Sequence, residues 1–167
     1  INSTRLDGEL LYQIISQRPD YSFVFTGPED DGFRQHRIHS LKNAYFTGQK
    51  KVDELPAYIT AYDVCINPQM VNDITDGNYP LKIDEYLAMG KPTVATSTHT
   101  MRHIFADHTH LATNPEEWLS AIDRAVTEAD DKELAKQRIA FAETHSWGHS
   151  VKKIYGIIDN FLKEKAT

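Results

Sequence analysis

Two periods alternate along this chain, and no other feature limits its fold so strongly. Four short runs rich in β-branched and aromatic residues read as strands: Tyr21 to Thr26, Ala44 to Thr47, Val64 to Asn67 and Pro92 to Ser97. Gly27-Pro28, Gly48 and Pro68 close the first three, and Leu111 to Thr113 is a fifth, shorter candidate. Between the strands, apolar residues recur at helical spacing. Leu10, Leu11, Ile14 and Ile15 predict a first helix that Pro19 ends. The acidic loop Glu29-Asp30-Asp31-Gly32 leads into a weakly helical stretch ending near Leu41. Leu55, Tyr58, Ile59 and Tyr62 share one helical face, with Asp53 as the expected N-cap. Pro80 opens a helix running to Met89 and stopped by Gly90. Asn114-Pro115-Glu116-Glu117 has the form of a helix start, with Asn as cap, Pro at the first position and Glu three after the cap. Helices over Lys132 to Thr144 and from Ser146 onward complete the series.

Short apolar strands separated by amphipathic helices belong to a parallel sheet covered on both faces. The expected fold class is therefore α/β, a parallel sheet with helices on both sides. Such a domain opens with a strand, whereas this chain opens with a helix and without an initiating Met. We expect the first strand to lie upstream, and residues 1–167 to be one domain of a longer two-domain protein.

Composition narrows the function. The 167 residues carry 18 Lys+Arg against 24 Asp+Glu, a net charge of −6 that argues against a nucleic-acid surface. Cys65 is the single cysteine, which excludes an intrachain disulfide and any cysteine-cluster metal site and fits a reducing, cytoplasmic compartment. No apolar run approaches the ~18 residues needed to span a bilayer.

In open α/β sheets ligands bind beyond the carboxyl ends of the strands. The richest such stretch runs from Pro68 to Ala95: a long polar loop, Gln69 to Tyr79, feeds a helix at Pro80. The first backbone N–H groups of that helix, Leu81 and Lys82, are expected to lack intrahelical partners and, with the helix dipole, to suit a phosphate. Lys82 adds a positive charge. Glu85 falls on the same helix face, where a carboxylate can accept two hydrogen bonds from a vicinal diol such as a ribose. Together these describe a nucleotide site.

On these residues the sequence resembles a known family. Pro80-Leu81-Lys82 followed by Glu85-Tyr86-Leu87-Ala88-Met89-Gly90-Lys91-Pro92 is similar to the donor-site motif of retaining glycosyltransferases with the GT-B fold (group 1, family 4 type). Phe25-Thr26-Gly27-Pro28, Phe46-Thr47-Gly48-Gln49, Asp53 to Tyr58, Tyr62-Asp63-Val64 and Ser146-Trp147 follow in the family's order. The resemblance implies a Rossmann-like domain, the C-terminal half of a GT-B fold, that binds a UDP- or GDP-sugar. It implies that Glu85 binds the ribose hydroxyls and that the Leu81 and Lys82 amides hold the distal phosphate. Backbone at Gln49 and Lys50 would contact the base, and Gly27 and Pro28 would line its pocket. Arg5 falls about where the family places a lysine against the pyrophosphate. Gly77, Asn78, Tyr79 and Pro80, which lead into the helix, belong to the same donor-binding stretch. One position departs: the family carries a second glutamate eight residues before the first, and Gly77 stands there, with Asp76 out of register.

The implied enzyme is metal-independent and retaining. A missing N-terminal domain holds its acceptor, so this half alone is not expected to transfer sugar. The implied setting is cytoplasmic, with the inner membrane face open to the full protein. Two other classes stay in view, a nucleotide-sugar epimerase of the same fold and a non-enzymatic α/β signalling module. The remaining motifs have plain structural readings. His99/His103 and His145/His149 have a metal-compatible spacing without a third ligand and read as solvated or capping side chains. Cys65 reads as a small buried hydrophobe. The stripe Trp147, Val151, Ile154, Ile158, Phe161 reads as core, with an interface to the missing N-terminal half as the alternative.

Overall fold

A computed structural model describes residues 1–73 and 75–165. In chain order its elements are α1 (Gly8–Ser16), β1 (Phe23–Thr26), α2 (Asp31–Arg34), a 3-10 turn at Arg37–Ser40, β2 (Ala44–Gly48), a second such turn at Val52–Glu54, and α3 (Leu55–Ala61). β3 (Cys65–Asn67), α4 (Leu81–Ala88), β4 (Thr93–Thr96), a π-helical turn at Met101–Phe105 and β5 (His110–Ala112) follow. Three helices close the chain: α5 (Pro115–Thr127), α6 (Lys132–Thr144) and α7 (Trp147–Lys165).

Each helix start has a local cause. Asp7 caps α1 by accepting from the Leu10 N–H at 2.9 Å. Asn114 caps α5 by accepting from the Glu117 N–H at 2.9 Å, with Pro115 at the first position. The Glu117 carboxylate reaches past the cap to the Thr113 N–H at 2.7 Å, one residue further back than a capping box requires. Asp131 caps α6, and Ser146 Oγ accepts from the His149 N–H at the start of α7. One expected cap differs. The 3-10 turn starts at Lys51 and passes directly into α3, so Asp53 lies inside that turn and caps nothing.

All strand pairs are parallel, and helices flank them as expected for the α/β class. The strands form two sheets, β1-β2 and β3-β4-β5, rather than one. β4 is the best-covered strand, buried at all four positions. Val94 joins a cluster with Leu11, Ile14 and Ile15 of α1 and Trp118 and Ile122 of α5. Its neighbour Ala95 joins the other cluster, with Ile83 and Leu87 of α4, Met101, Phe105 and Ala142. Adjacent residues thus enter different cores, because side chains alternate faces along a strand. Cys65 is buried in β3, and burial pushes its thiol up to about 12, with the Lys91 charge opposing; it is a hydrophobe, as expected.

α7 departs from expectation. Trp147 is 86% exposed, and Val151, Ile154, Ile158 and Phe161 are also exposed. The stripe is present on the helix, and the described residues do not cover it. No helix among the described residues is long and apolar enough to cross a membrane.

Candidate donor-binding site

The site is built around α4. Met70 donates its N–H to the Arg5 carbonyl at 2.8 Å, and Asp7 donates to the Pro68 carbonyl at 3.1 Å. The segment before α1 therefore lies against the start of the 69–79 loop. That loop contains no helix or strand among its described residues, as expected; Ile74 lies outside them. Pro80 is the N-cap position of α4 and is buried. Leu81 is exposed, and its N–H donates to the Tyr79 carbonyl at 3.2 Å, so this amide is not the free donor that helix position alone suggests. Ile83 donates to the Pro80 carbonyl at 2.8 Å. The Lys82 N–H has no backbone partner among the described residues and remains a donor for a ligand.

Three charged residues converge here. Lys82 and Glu85 line a cavity of about 640 Å³ together with Ile1, Thr26, Asn67 and Pro68. The concave surroundings lower the proton affinity of the Lys82 amine; Glu85 opposes the shift and Arg5 adds to it. Arg5, Lys82 and Glu85 are therefore electrostatic neighbours. The Glu85 carboxylate makes no hydrogen bond or ion pair with another described residue, so both oxygens are available to a ligand.

The other predicted residues spread around this centre. Gly27 and Pro28 follow β1, and the Gly27 N–H donates to the Gly48 carbonyl at 3.0 Å, tying the two strand ends together. Gln49 and Lys50 follow β2, outside the cavity that Lys82 and Glu85 line; the Lys50 ammonium lies 5.3 Å from the Tyr58 ring centre. Gly77 and Asn78 lie exposed in the turn before α4. A side chain added at Gly77 would meet open space. Asp76 Oδ1 accepts from the His99 N–H at 2.7 Å and fastens the loop to the segment after β4.

Sequence reasoning missed what holds α4 in place. Tyr79 donates its hydroxyl to Asp84 Oδ2 at 2.6 Å, and His145 Nδ1 donates to Asp84 Oδ1 at 2.8 Å. Burial, together with this hydrogen bond, holds the Tyr79 phenol well above its ordinary range. At the other end of the helix, the buried Arg138 of α6 donates to the Gly90 carbonyl at 3.4 Å and pairs with Glu128, whose other oxygen accepts from His110 at 3.0 Å. Both ends of α4 are thus fastened by residues of α6 or just after it. No local pattern signals these ties, since Asp84 and His145 are 61 positions apart. The His99 and His103 rings lie 4.2 Å apart, and no group of three potential ligands gathers among the described residues.

The comparisons with known proteins bear on the family and the fold. A family model described as "Glycosyl transferases group 1" matches residues 9–128. The chain belongs to the group 1 glycosyltransferases. It is 27% identical over 157 residues to TuaH of Bacillus subtilis (strain 168), a glycosyltransferase assigned to teichuronic acid biosynthesis. That match covers 90% of this chain and 39% of TuaH, so the chain spans about two fifths of its relative. Among solved structures it superimposes on WaaG, a glycosyltransferase involved in lipopolysaccharide biosynthesis, with a TM-score of 0.61 at 15% identity, covering 83% of this chain and 39% of WaaG. It also superimposes on AviGT4, a glycosyltransferase involved in avilamycin A biosynthesis, with a TM-score of 0.54 at 13% identity, covering 86% of this chain and 48% of the other. At these identities the structural likeness speaks for the fold, which is that of GT-B glycosyltransferases.

Proposed function

We propose that this group 1 glycosyltransferase chain is the donor half of a retaining enzyme and binds a UDP- or GDP-sugar at the start of α4. The convergence of Lys82, Arg5 and an uncommitted Glu85 carboxylate carries this reading. Glu85 accepts from the ribose hydroxyls. The Lys82 amide and ammonium, with Arg5, hold the diphosphate. Positive charge fixed there stabilises the negative charge that grows on the departing nucleoside diphosphate, and it costs no reorganisation during the reaction. The same groups do what a divalent ion does in metal-dependent transferases, so the reaction needs no metal. Gln49 and Lys50 reach the base from the end of β2, and Gly27, Pro28 and the Gly77–Pro80 turn border the ligand. Gly77 leaves open the space that a glutamate would fill in the resembling family, which bears on the donor sugar rather than on the nucleotide.

The acceptor belongs to an N-terminal domain outside these residues. The uncovered stripe on α7 supports a partner domain, since an amphipathic face of this size is ordinarily buried. The setting is cytoplasmic, with peripheral contact to the inner membrane face open to the full protein; the single buried thiol fits that compartment. The test is a transfer assay on the full-length protein with UDP- and GDP-sugars, with product configuration read by NMR. Transfer with the donor's anomeric configuration kept, unaffected by chelator, is the expected outcome. Inversion, or loss of activity on chelation, contradicts it.

A further inference from the structure

The strand order gives a bound donor its direction. Across the molecule come β2 and β1, then the cavity that Lys82 and Glu85 line, then β3, β4 and β5. Thr26 at the end of β1 and Asn67 at the end of β3 both border that cavity. A nucleotide with its base at Gln49 and Lys50, beyond β2, and its diphosphate at Lys82 therefore runs from β2 toward β3. Its sugar lies on the far side of the diphosphate and points toward the end of β4.

The end of β4 and the loop before α4 form one wall there. Thr96 Oγ1 donates to the Gln69 carbonyl at 2.9 Å, and the Thr100 N–H donates to the Asp76 carbonyl at 3.4 Å, beside the bond from the His99 N–H to Asp76. Gly77, next in the chain, adds no side chain and has open space beside it. Three exposed side chains stand on this wall: His99, Arg102 and His103. The Arg102 guanidinium is folded back to the sheet edge, where Nη1 donates to the Ser97 carbonyl at 2.5 Å; Nε and Nη2 have no partner among the described residues. The two histidine rings, 4.2 Å apart, contact each other.

None of the three is ion-paired with a described residue, although the chain carries a net charge of −6. Elsewhere His36, His39, His110 and His145 each meet a carboxylate, as do Arg18 and Arg138. Uncompensated positive charge where a ligand arrives favours an anion. A guanidinium already held in place offers a carboxylate two parallel N–H groups, here Nε and Nη2. An imidazole donates an N–H in either protonation state. A neutral hexose has no charge to set against this cluster.

We propose that the sugar of the donor carries a carboxylate, as a hexuronic acid does, and that Arg102 receives it together with His99 and His103. This rests on the donor reading above, which supplies the orientation of the nucleotide.

Titration calorimetry on the full-length protein tests it with donors that differ only in the C6 carboxylate: UDP-glucuronic acid against UDP-glucose, UDP-galacturonic acid against UDP-galactose, and GDP-mannuronic acid against GDP-mannose. Bare UDP and GDP are titrated alongside. In at least one pair the acid is expected to bind about tenfold tighter or more, the worth of one charge-assisted pair. Arg102→Gln is expected to bring that ratio below about twofold, while Arg102→Lys keeps part of it. The double variant His99→Gln/His103→Gln lowers the ratio without abolishing it, and it decides the matter if Arg102→Gln does not fold. Equal or tighter binding of the neutral sugar in every pair, with UDP or GDP still bound, overturns the proposal and leaves the donor reading standing. A preference for the acid that survives both the arginine and the histidine substitutions overturns it as well. Failure of both bare nucleotides to bind overturns the donor reading, and the proposal with it.

Discussion

Helix α4 spans eight residues and α7 nineteen, and both carry an apolar stripe. In α4 the stripe, Ile83 and Leu87, is completely buried against β4 and α6. In α7 it lies in solvent. The amphipathic pattern is equally legible in both. What differs is whether the chain itself supplies the covering surface, and a hydrophobic period does not say who the partner is. α4 has Arg138 at one end and Asp84–His145 at the other, so its first turn is held still where a ligand would meet it. A ligand site gains from such fixing, because groups already in place lose little entropy on binding.

Mutations should separate the two helices sharply. The largest effect is expected at Arg138. Arg138→Ala removes the buried guanidinium, leaves the partly buried Glu128 to His110, and should cost about 4 kcal/mol in denaturant unfolding. Leu87→Ala opens a cavity in the α4 core and should cost about 3 kcal/mol. At Gly90, φ is +73° and an added Cβ would lie 3.1 Å from that of Ala135. Gly90→Ala should therefore cost about 2 kcal/mol, the left-handed penalty plus a close contact. The smallest effect belongs to α7: Ile154→Ala should change the stability of this chain by less than about 0.5 kcal/mol. A loss at Ile154 comparable to that at Leu87 would mean that α7 is covered in solution, and the comparison would fail.

Much of this structure is readable from the residues alone. The strands at Phe23, Ala44, Cys65, Thr93 and His110 fall within two residues of expectation, because each apolar run ends at a Gly, Pro or loop that cannot extend it. The cap at Asn114 follows from a side chain that competes for the first N–H groups, with Pro115 behind it. Lys82 and Glu85 share a face because helical spacing requires it. The readings that failed depended on distant partners. Trp147 looks like core until its neighbours are known. Asp53 looks like a cap, but the chain is already turning from Lys51. The Leu81 amide looks free, but the Tyr79 carbonyl folds back onto it. The tie between Asp84 and His145, and the π-helical turn at Met101–Phe105, follow from packing that no local pattern encodes.

The central claim is that the fixed start of α4 binds a nucleoside diphosphate through Glu85. Titration calorimetry with UDP, GDP and ADP, on the wild-type chain and on Glu85→Ala, tests it most directly. The account predicts that one of the three binds and that Glu85→Ala weakens it at least tenfold, the loss of hydrogen bonds to a charged group, while the unfolding midpoint stays put because the residue is exposed. Equal binding by the two proteins, or a mutant that no longer folds, would contradict it.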